Sequence, residues 1–334
     1  TSVAAIGNTL FMVGGRRAKS YTLSNSVIEV DVLKWTVTAA TVSGTPPRPR
    51  YGHSVDVIAN CFLVIFGGLC YNSVGENDVF VYDTLNRNWF VPLVRGPVPH
   101  LRFGHASAVI GQDLYVHGGA QIDSDSSYIV YDDLHKLDCK TWSWCKYEHP
   151  EVEQHLRGQT REEKCNLFPT TGDSPYDRFQ SYMCASAGKL IVFGGRSIRT
   201  NSSDDEIMCY YSMDELSVFH TKRRSWTLVN ARTSSDIIMD RLSVAIVPAE
   251  SRGAKILVFG QRVHKRTRRL QENFDGLYKV VKLDENHKQE TFHLIDSEFQ
   301  EETFYQDHKL VKKQVDLYQD VRNAACIAVL ELLE

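Results

Sequence analysis

No stretch of this chain stays apolar for the ~20 residues that a membrane-spanning helix needs. Net charge is scarce as well. The 38 Lys and Arg nearly balance 41 Asp and Glu, leaving a formal −3. No global pull toward nucleic acid or an anionic membrane follows from that balance. The eight cysteines (Cys61, Cys70, Cys139, Cys145, Cys165, Cys184, Cys209 and Cys326) contain no Cys-x-x-Cys pair. Their irregular spacing fits reduced thiols in a cytoplasmic protein better than a disulfide framework. The chain also lacks His-Glu-x-x-His and any phosphate-cradling Gly loop. Asp123, Asp125 and Asp133 lie close together, but the Gly and terminal Glu of a calcium loop are missing, so they read as a polar loop. No catalytic residue, metal ligand or cofactor is assigned, and a non-catalytic protein is expected.

What the chain has is a repeat. Four apolar runs end in a glycine pair: Leu10 to Gly14-Gly15, Leu63 to Gly67-Gly68, Leu114 to Gly118-Gly119 and Leu190 to Gly194-Gly195. A decayed fifth run, Ile256 to Gly260, has Gln261 as its second member. The spacings are 53, 51, 76 and about 65 residues. A period near 50 marks a fold built of stacked, similar units.

Each unit carries further matching parts. Arginine-led starts precede the pairs: Arg50-Tyr-Gly-His53, Arg102-Phe-Gly-His105, Arg178-Phe-Gln-Ser and Arg241-Leu-Ser-Val. After the pairs come a strand, an Asp and a Trp. These are Asp31 with Trp35, Asp83 with Trp89 and Asp138 with Trp142, and the fourth unit has His220 with Trp226. The Gly pair lets the chain turn where a Cβ would clash. The Asp starts a turn between two strands. The Trp is expected to plug the space between adjacent sheets. One unit is therefore a four-stranded antiparallel sheet, and radial packing of units leaves only short edges.

The order Arg-x-Gly-His, apolar-Gly-Gly, Tyr-Asp and Trp resembles the kelch repeat. The resemblance covers roughly residues 1 to 290 and fades in the fifth unit, which has no Trp after Asp284. It implies an all-β propeller of radially arranged four-stranded antiparallel blades. Six or seven blades are expected in the intact protein, with about five recognisable here. The units fall near 1–47, 48–100, 101–176, 177–239 and 240–308. Ser2-Val3 aligns with Ser54-Val55, inside a first strand, so a fragment of a longer protein is expected. Residues 309–334 read equally as an amphipathic helix or as the first strand of a further blade.

Three insertions interrupt the repeat: 148–176, 196–206 and 261–271. The second is read as a short acidic loop, the third as a basic one. Insertions in repeat proteins map to loops that often bind. The third holds Arg262, Lys265, Arg266, Arg268 and Arg269, a possible accessory contact for an acidic partner. It lacks interleaved aromatics, and nucleic acid is not expected. His53 and His105 share one repeat position and His117 stands in an apolar strand, so all three read as structural.

In kelch-type ubiquitin-ligase adaptors, arginines at the strand-opening position line a pocket for acidic peptides. Carried over by position, the resemblance implies a basic face formed by Arg50, Arg102, Arg178 and Arg241, with Arg16 and Arg196 after the Gly pairs. Such a ring suits carboxylate or phosphate capture. The same arginines could instead satisfy carbonyls and Asp of a neighbouring blade, and the repeat fits both readings. The expected function is a protein-interaction scaffold, a cytoplasmic regulator of signalling or cell polarity, binding a protein partner that carries an acidic or phosphorylated segment. A substrate-recruiting module of a ubiquitin ligase is the first alternative, and a propeller enzyme such as a metal-radical oxidase the second.

Overall fold

The computed structural model describes residues 2–17, 20–124, 127–148, 167–200, 206–211, 215–230, 239–248, 253–262, 281–283, 289–291 and 325–333. All regular structure among them is strand. Sheet one holds β1 (Ser2–Ile6), β2 (Thr9–Arg16), β3 (Leu23–Asp31) and β4 (Thr36–Ala39), paired in that order. Sheet two holds β5 (Ser43–Gly44), β6 (Arg50–Tyr51), β7 (Ser54–Ile58), β8 (Phe62–Cys70), β9 (Glu76–Asp83) and β10 (Asn88–Phe90). In sheet two, β7, β8, β9 and β10 repeat the antiparallel order of sheet one.

Sheet three uses β11 (Ala106–Ile110) and β12 (Asp113–His117), with the hairpin β13 (Ala120–Ile122) and β14 (Tyr128–Val130) set apart. It continues through β15 (Leu134–Asp138), β16 (Ser143–Glu148) and β17 (Leu167–Pro169). Sheet four has β18 (Tyr182–Ser186) and β19 (Lys189–Phe193), then the side hairpin β20 (Arg196–Thr200) and β21 (Glu206–Tyr210), then β22 (Glu215–His220) and β23 (Ser225–Asn230). The expected acidic loop at 196–206 thus begins and ends as a strand pair, Arg196 to Thr200 against Tyr210 to Glu206. These four antiparallel blades make a kelch-type β-propeller fold.

The remaining strands are β24 (Met239–Pro248), β25 (Gly253–Arg262), β26 (Val281–Leu283), β27 (Gln289–Thr291) and β28 (Ala325–Leu333). Strand β28 corrects the helical reading of the C-terminus where the structure describes it. It pairs antiparallel with β25 from Gln261↔Ala325 to Gly253↔Leu333, in the third-strand place that β3, β9 and β15 take in their sheets. Residues 309–324 lie outside the described residues. The chain divides into two compact units, 1–190 with 219–227 and 191–218 with 228–334.

Within the first unit the blades pack face to face. Ala4, Phe11, Val13 and Val27 of sheet one meet Leu63, Ile65, Tyr82 and Trp89 of sheet two. The other face of sheet two offers Val64, Phe66, Val79 and Val81 to Leu114, Val116, Leu137 and Trp144 of sheet three. The period-2 alternation of each strand sends successive side chains to opposite blades. That is why both faces are apolar. Burying one such side chain contributes about 1.5–3 kcal/mol.

The tryptophans split into two classes, which corrects the register read from sequence. Trp89, Trp144 and Trp226 stand six residues after Asp83, Asp138 and His220 and are at most 5% exposed. They are the plugs, with Trp144 tilted on Phe66 at 5.0 Å and Trp226 on Phe219 at 4.9 Å. Trp35 and Trp142 stand four residues after their Asp, at the left-handed position of the turn (φ 54° and 55°), where the other blades have Arg87 and Arg224. Trp35 is 82% exposed. The turns themselves match expectation. Asp31, Asp83 and Asp138 each accept two backbone N–H bonds from the residues two and three ahead.

A second glycine register escaped the sequence reading. Gly44, Gly96 and Gly172 each stand six residues before a strand-opening arginine, and a Cβ on them would lie 2.2–2.3 Å from the carbonyl oxygen of Trp89, Trp144 and Trp226. Gly96→Ala therefore combines left-handed strain (φ 83°) with a backbone collision. The expected loss is about 2–4 kcal/mol. Gly111→Ala is the control, since φ is 66° there but nothing lies within 4 Å of its Cβ. It should cost only about 1–2 kcal/mol. Denaturant melts of the two variants check the difference.

Candidate functional site

The strand-opening arginines sit where each blade begins, just before its first strand. Arg102 is fully buried. Its guanidinium makes a two-pronged pair with Asp133, Nη1 to Oδ1 at 2.7 Å and Nη2 to Oδ2 at 2.9 Å. Nη1 also donates to Gly118 O at 2.7 Å and Nε to His100 O at 3.1 Å. Arg50 repeats the pattern with Asp78, Gly67 O and Arg48 O. Four of the five guanidinium N–H groups are thus committed in both residues. Arg178, also buried, donates from Nε to Tyr176 O at 3.0 Å.

These bonds stitch successive blades together. Gly68 N–H, the second member of one glycine pair, donates to Arg102 O of the next blade. The Arg102 side chain then bonds Gly118 O, and Gly119 N–H donates to Arg178 O. Only a residue without Cβ allows the approach, since a Cβ on Gly118 would stand 2.4 Å from Arg178 O. Two loop residues further, Gly104 N–H donates to Gly52 O and Gln180 N–H to Gly104 O.

Burial would raise the Asp133 carboxyl, yet the Arg102 charge and its hydrogen bonds hold it well below the usual range. His135 Nε2 donates to the same carboxylate at 2.9 Å, and burial keeps that imidazole's pKa low. Sequence reading placed Asp133 in a polar loop. The structure makes it the buried counter-ion of Arg102.

Arg50, Arg102 and Arg178, expected to line a pocket, are at most 2% exposed, and the guanidinium groups of Arg50 and Arg102 pair within their own blades. The Asp partners belong to the same blade's sheet, whereas the resemblance left open the neighbouring one. Arg16 is exposed, with its guanidinium carbon 5.2 Å from the Tyr21 ring centre and 5.4 Å from that of Tyr51. Arg196 is half-buried and lies over the Tyr210 ring at 6.0 Å. Arg241 falls in β24 and Arg262 ends β25, while Lys265, Arg266, Arg268 and Arg269 lie outside the described residues.

The surface around the loop ends is aromatic as well as basic. Tyr51, Phe103 and Phe179 all directly follow a strand-opening arginine, a repeat visible in the sequence but not singled out there. Tyr128 stacks on Phe179 at 5.7 Å and leans on Phe103 at 6.2 Å. Tyr21, Tyr71 and Tyr128 are 65%, 57% and 39% exposed. His53, His105 and His117 are buried, as their repeat positions implied. Among the described residues no group of three or more His, Cys, Asp or Glu side chains is placed to hold a metal ion. No described helix is long and apolar enough to cross a membrane.

Comparison with known proteins agrees with the repeat. Residues 1–160 match the family model described as the KLHDC2/KLHL20/DRC7 Kelch-repeats domain. Residues 1–160 are thus kelch-repeat sequence. Human Kelch domain-containing protein 3 is 28% identical over 240 residues, covering 67% of this chain and 55% of that protein. Acyl-CoA-binding domain-containing protein 4 of Arabidopsis thaliana is 33% identical over 144 residues, 43% of this chain and 20% of that one. Host cell factor of Drosophila melanogaster is 30% identical over 164 residues, 49% of this chain and 9% of its own. The matched stretch thus spans about half the length of its Kelch domain-containing relative. Kelch-repeat proteins generally act as protein-interaction modules.

Proposed function

We propose that this kelch chain is a non-catalytic scaffold that takes a protein partner on the loop face carrying Arg16, Tyr21, Tyr51, Tyr71 and Tyr128. The carrying observation is the concentration of exposed tyrosine beside an exposed arginine. Tyr and Arg dominate binding energy at protein interfaces because they join large contact area to a polar tip. In this reading Arg50, Arg102 and Arg178 fix the loop positions and touch no partner. Six described cysteines are free, which supports service in the reducing cytoplasm; a regulator of signalling or cell polarity is the role we assign there.

The test is affinity capture from a cytosolic extract with three baits. One is the wild type, one the loop-face variant Tyr21→Ala/Tyr128→Ala, and one the opposite-end variant Trp35→Ala/Leu85→Ala. Residues 35 and 85 lie in the turns between the third and fourth strands. Partners lost only from the loop-face bait are expected. Loss only from the Trp35/Leu85 bait would move the site to the other end of the blades.

A further inference from the structure

The outer strands of the second, third and fourth blades share a cover that the first blade lacks. A short extended segment lies parallel on each outer edge: Ser43-Gly44 on β10, Arg95 on β16 and Thr171 on β23. Ser43, Arg95 and Thr171 donate N–H to the carbonyls of the left-handed turn residues Arg87, Trp142 and Arg224, at 2.9, 3.0 and 3.1 Å. In return, Arg95 O and Thr171 O accept from the plug residues' Trp144 N–H and Trp226 N–H, both at 2.8 Å. Glycine follows each of the three, at φ 75°, 83° and 80°. The plug carbonyl oxygen, 2.2–2.3 Å from the place of a Cβ, leaves no room for a larger residue. A proline then comes within three residues, at Pro46, Pro97 and Pro175.

Strand β4 has the same register without the cover. Its pairs Val30↔Val37 and Asp31↔Thr36 repeat Leu137↔Trp144 and Asp138↔Ser143. Alternation along the ladder therefore aims Trp35 C=O and Val37 N–H away from β3, as it aims Trp142 C=O and Trp144 N–H away from β15. Among the described residues no strand pairs with that side of β4. All four β4 side chains are exposed, Val37 to 66%. Thr36 to Ala39 hold no charge and no proline, the features that keep an edge from recruiting another strand. The three covering segments begin eleven residues before Ser54, Ala106 and Tyr182, and the same count back from Ser2 passes Thr1.

We propose that the outer edge of β4 is a strand-addition site for an extended segment of a partner protein. The segment lies parallel to β4 and carries a non-proline residue, then glycine, then a nearby proline. Its chemistry is read from the three segments already seated on equivalent edges. The first residue donates to Trp35 C=O and accepts from Val37 N–H. The glycine is required because Val37 O stands where the Trp89, Trp144 and Trp226 oxygens stand in their blades. Backbone pairing supplies the hold and the glycine supplies the selection. The site lies on the outer side of the blade and does not depend on the loop-face reading.

The probe is a fluorescent peptide of the chain's own residues 90–100, which hold Arg95-Gly96-Pro97, titrated onto the chain and followed by anisotropy. Saturable binding with Kd below about 1 mM is expected. Alanine in place of the peptide's glycine, or a methyl group on its Arg95 nitrogen, should weaken it by at least about 10-fold. Val37→Pro should abolish binding with little change in the thermal melt, because an outward N–H on an edge strand can be given up. Bound peptide should also slow hydrogen exchange at Val37 N–H in the wild type. Binding that survives Val37→Pro, tolerance of either altered peptide, or no binding at about 1 mM would overturn the proposal. Should Val37→Pro melt early, the methylated peptide and the exchange at Val37 decide the matter. The titration is repeated on a chain carrying whatever natural residues precede Thr1. Binding kept there is expected. Binding lost there means that the chain's own segment fills the edge, and the partner reading fails.

Discussion

Arg102→Met should cost about 3–5 kcal/mol of folding stability, enough to unfold much of a marginal domain. Removing the guanidinium leaves the Asp133 carboxylate buried with only a neutral imidazole donor. It also strips Gly118 O of its side-chain donor. Breaking one half of a buried pair is worse than lacking the pair, because the remaining charge keeps its desolvation cost. Arg102→Met with Asp133→Asn should therefore recover part of the loss, and the double-mutant cycle gives the coupling. Arg50→Met should cost less, since the Asp78 side chain is 35% exposed and water can take over its charge. If Arg102 instead served an open pocket, its loss would move stability by no more than about 0.5 kcal/mol. Urea unfolding of these variants and of Asp133→Asn alone decides between them.

The contrast shows which parts of this molecule were legible in the chain. The Gly-Gly register located the second strand of four blades, because a positive-φ pair has few substitutes and recurs at fixed offset. The roles of the arginines were not legible. Residue type and repeat position are the same for a buried clamp and for a pocket wall. What separates them is Asp78 or Asp133, about 30 residues downstream and brought alongside only by the third strand. The plug tryptophan of the third blade was misread because Trp142 and Trp144 are two apart and both follow Asp138. Counting six from the Asp, as in Asp83 to Trp89, selects Trp144. The Gly44, Gly96 and Gly172 register was present in plain sight, at a constant six residues before Arg50, Arg102 and Arg178. Arg16 could be picked out as a cation, but its two ring contacts come from different blades. No local pattern joins residues 16, 21 and 51.

Acid should destabilise this protein well before its surface carboxylates titrate. Burial pushes the His53, His105 and His117 pKa values down to about 3, and the charges of Arg50, Arg102 and Arg178 respectively reinforce the shift. In the unfolded chain the same groups titrate near 6.5. Between those values the unfolded state binds more protons, so stability is complete above about pH 6.5 and falls as pH drops toward 3. Three such sites give a slope of about 4 kcal/mol per pH unit. Asp56 on β7 works the other way. Burial holds its carboxyl up at about 6, with a hydrogen bond to Ser107 only partly offsetting it. Folding therefore favours its protonated form between about pH 4 and 6, which cancels one of the three protons there. The net slope in that window is about 2.7 kcal/mol per unit, so melting should be flat from pH 8 to 7 and steep below 6. Asp56→Asn separates the contributions. It should stabilise the protein by up to about 3 kcal/mol at pH 7, with the gain vanishing near pH 4. His105→Leu should reduce the acid slope by about one proton. A stability profile flat between pH 7 and 5 would mean that these imidazoles reach water in the folded protein, and the stitched blade interfaces would then be looser than their geometry describes.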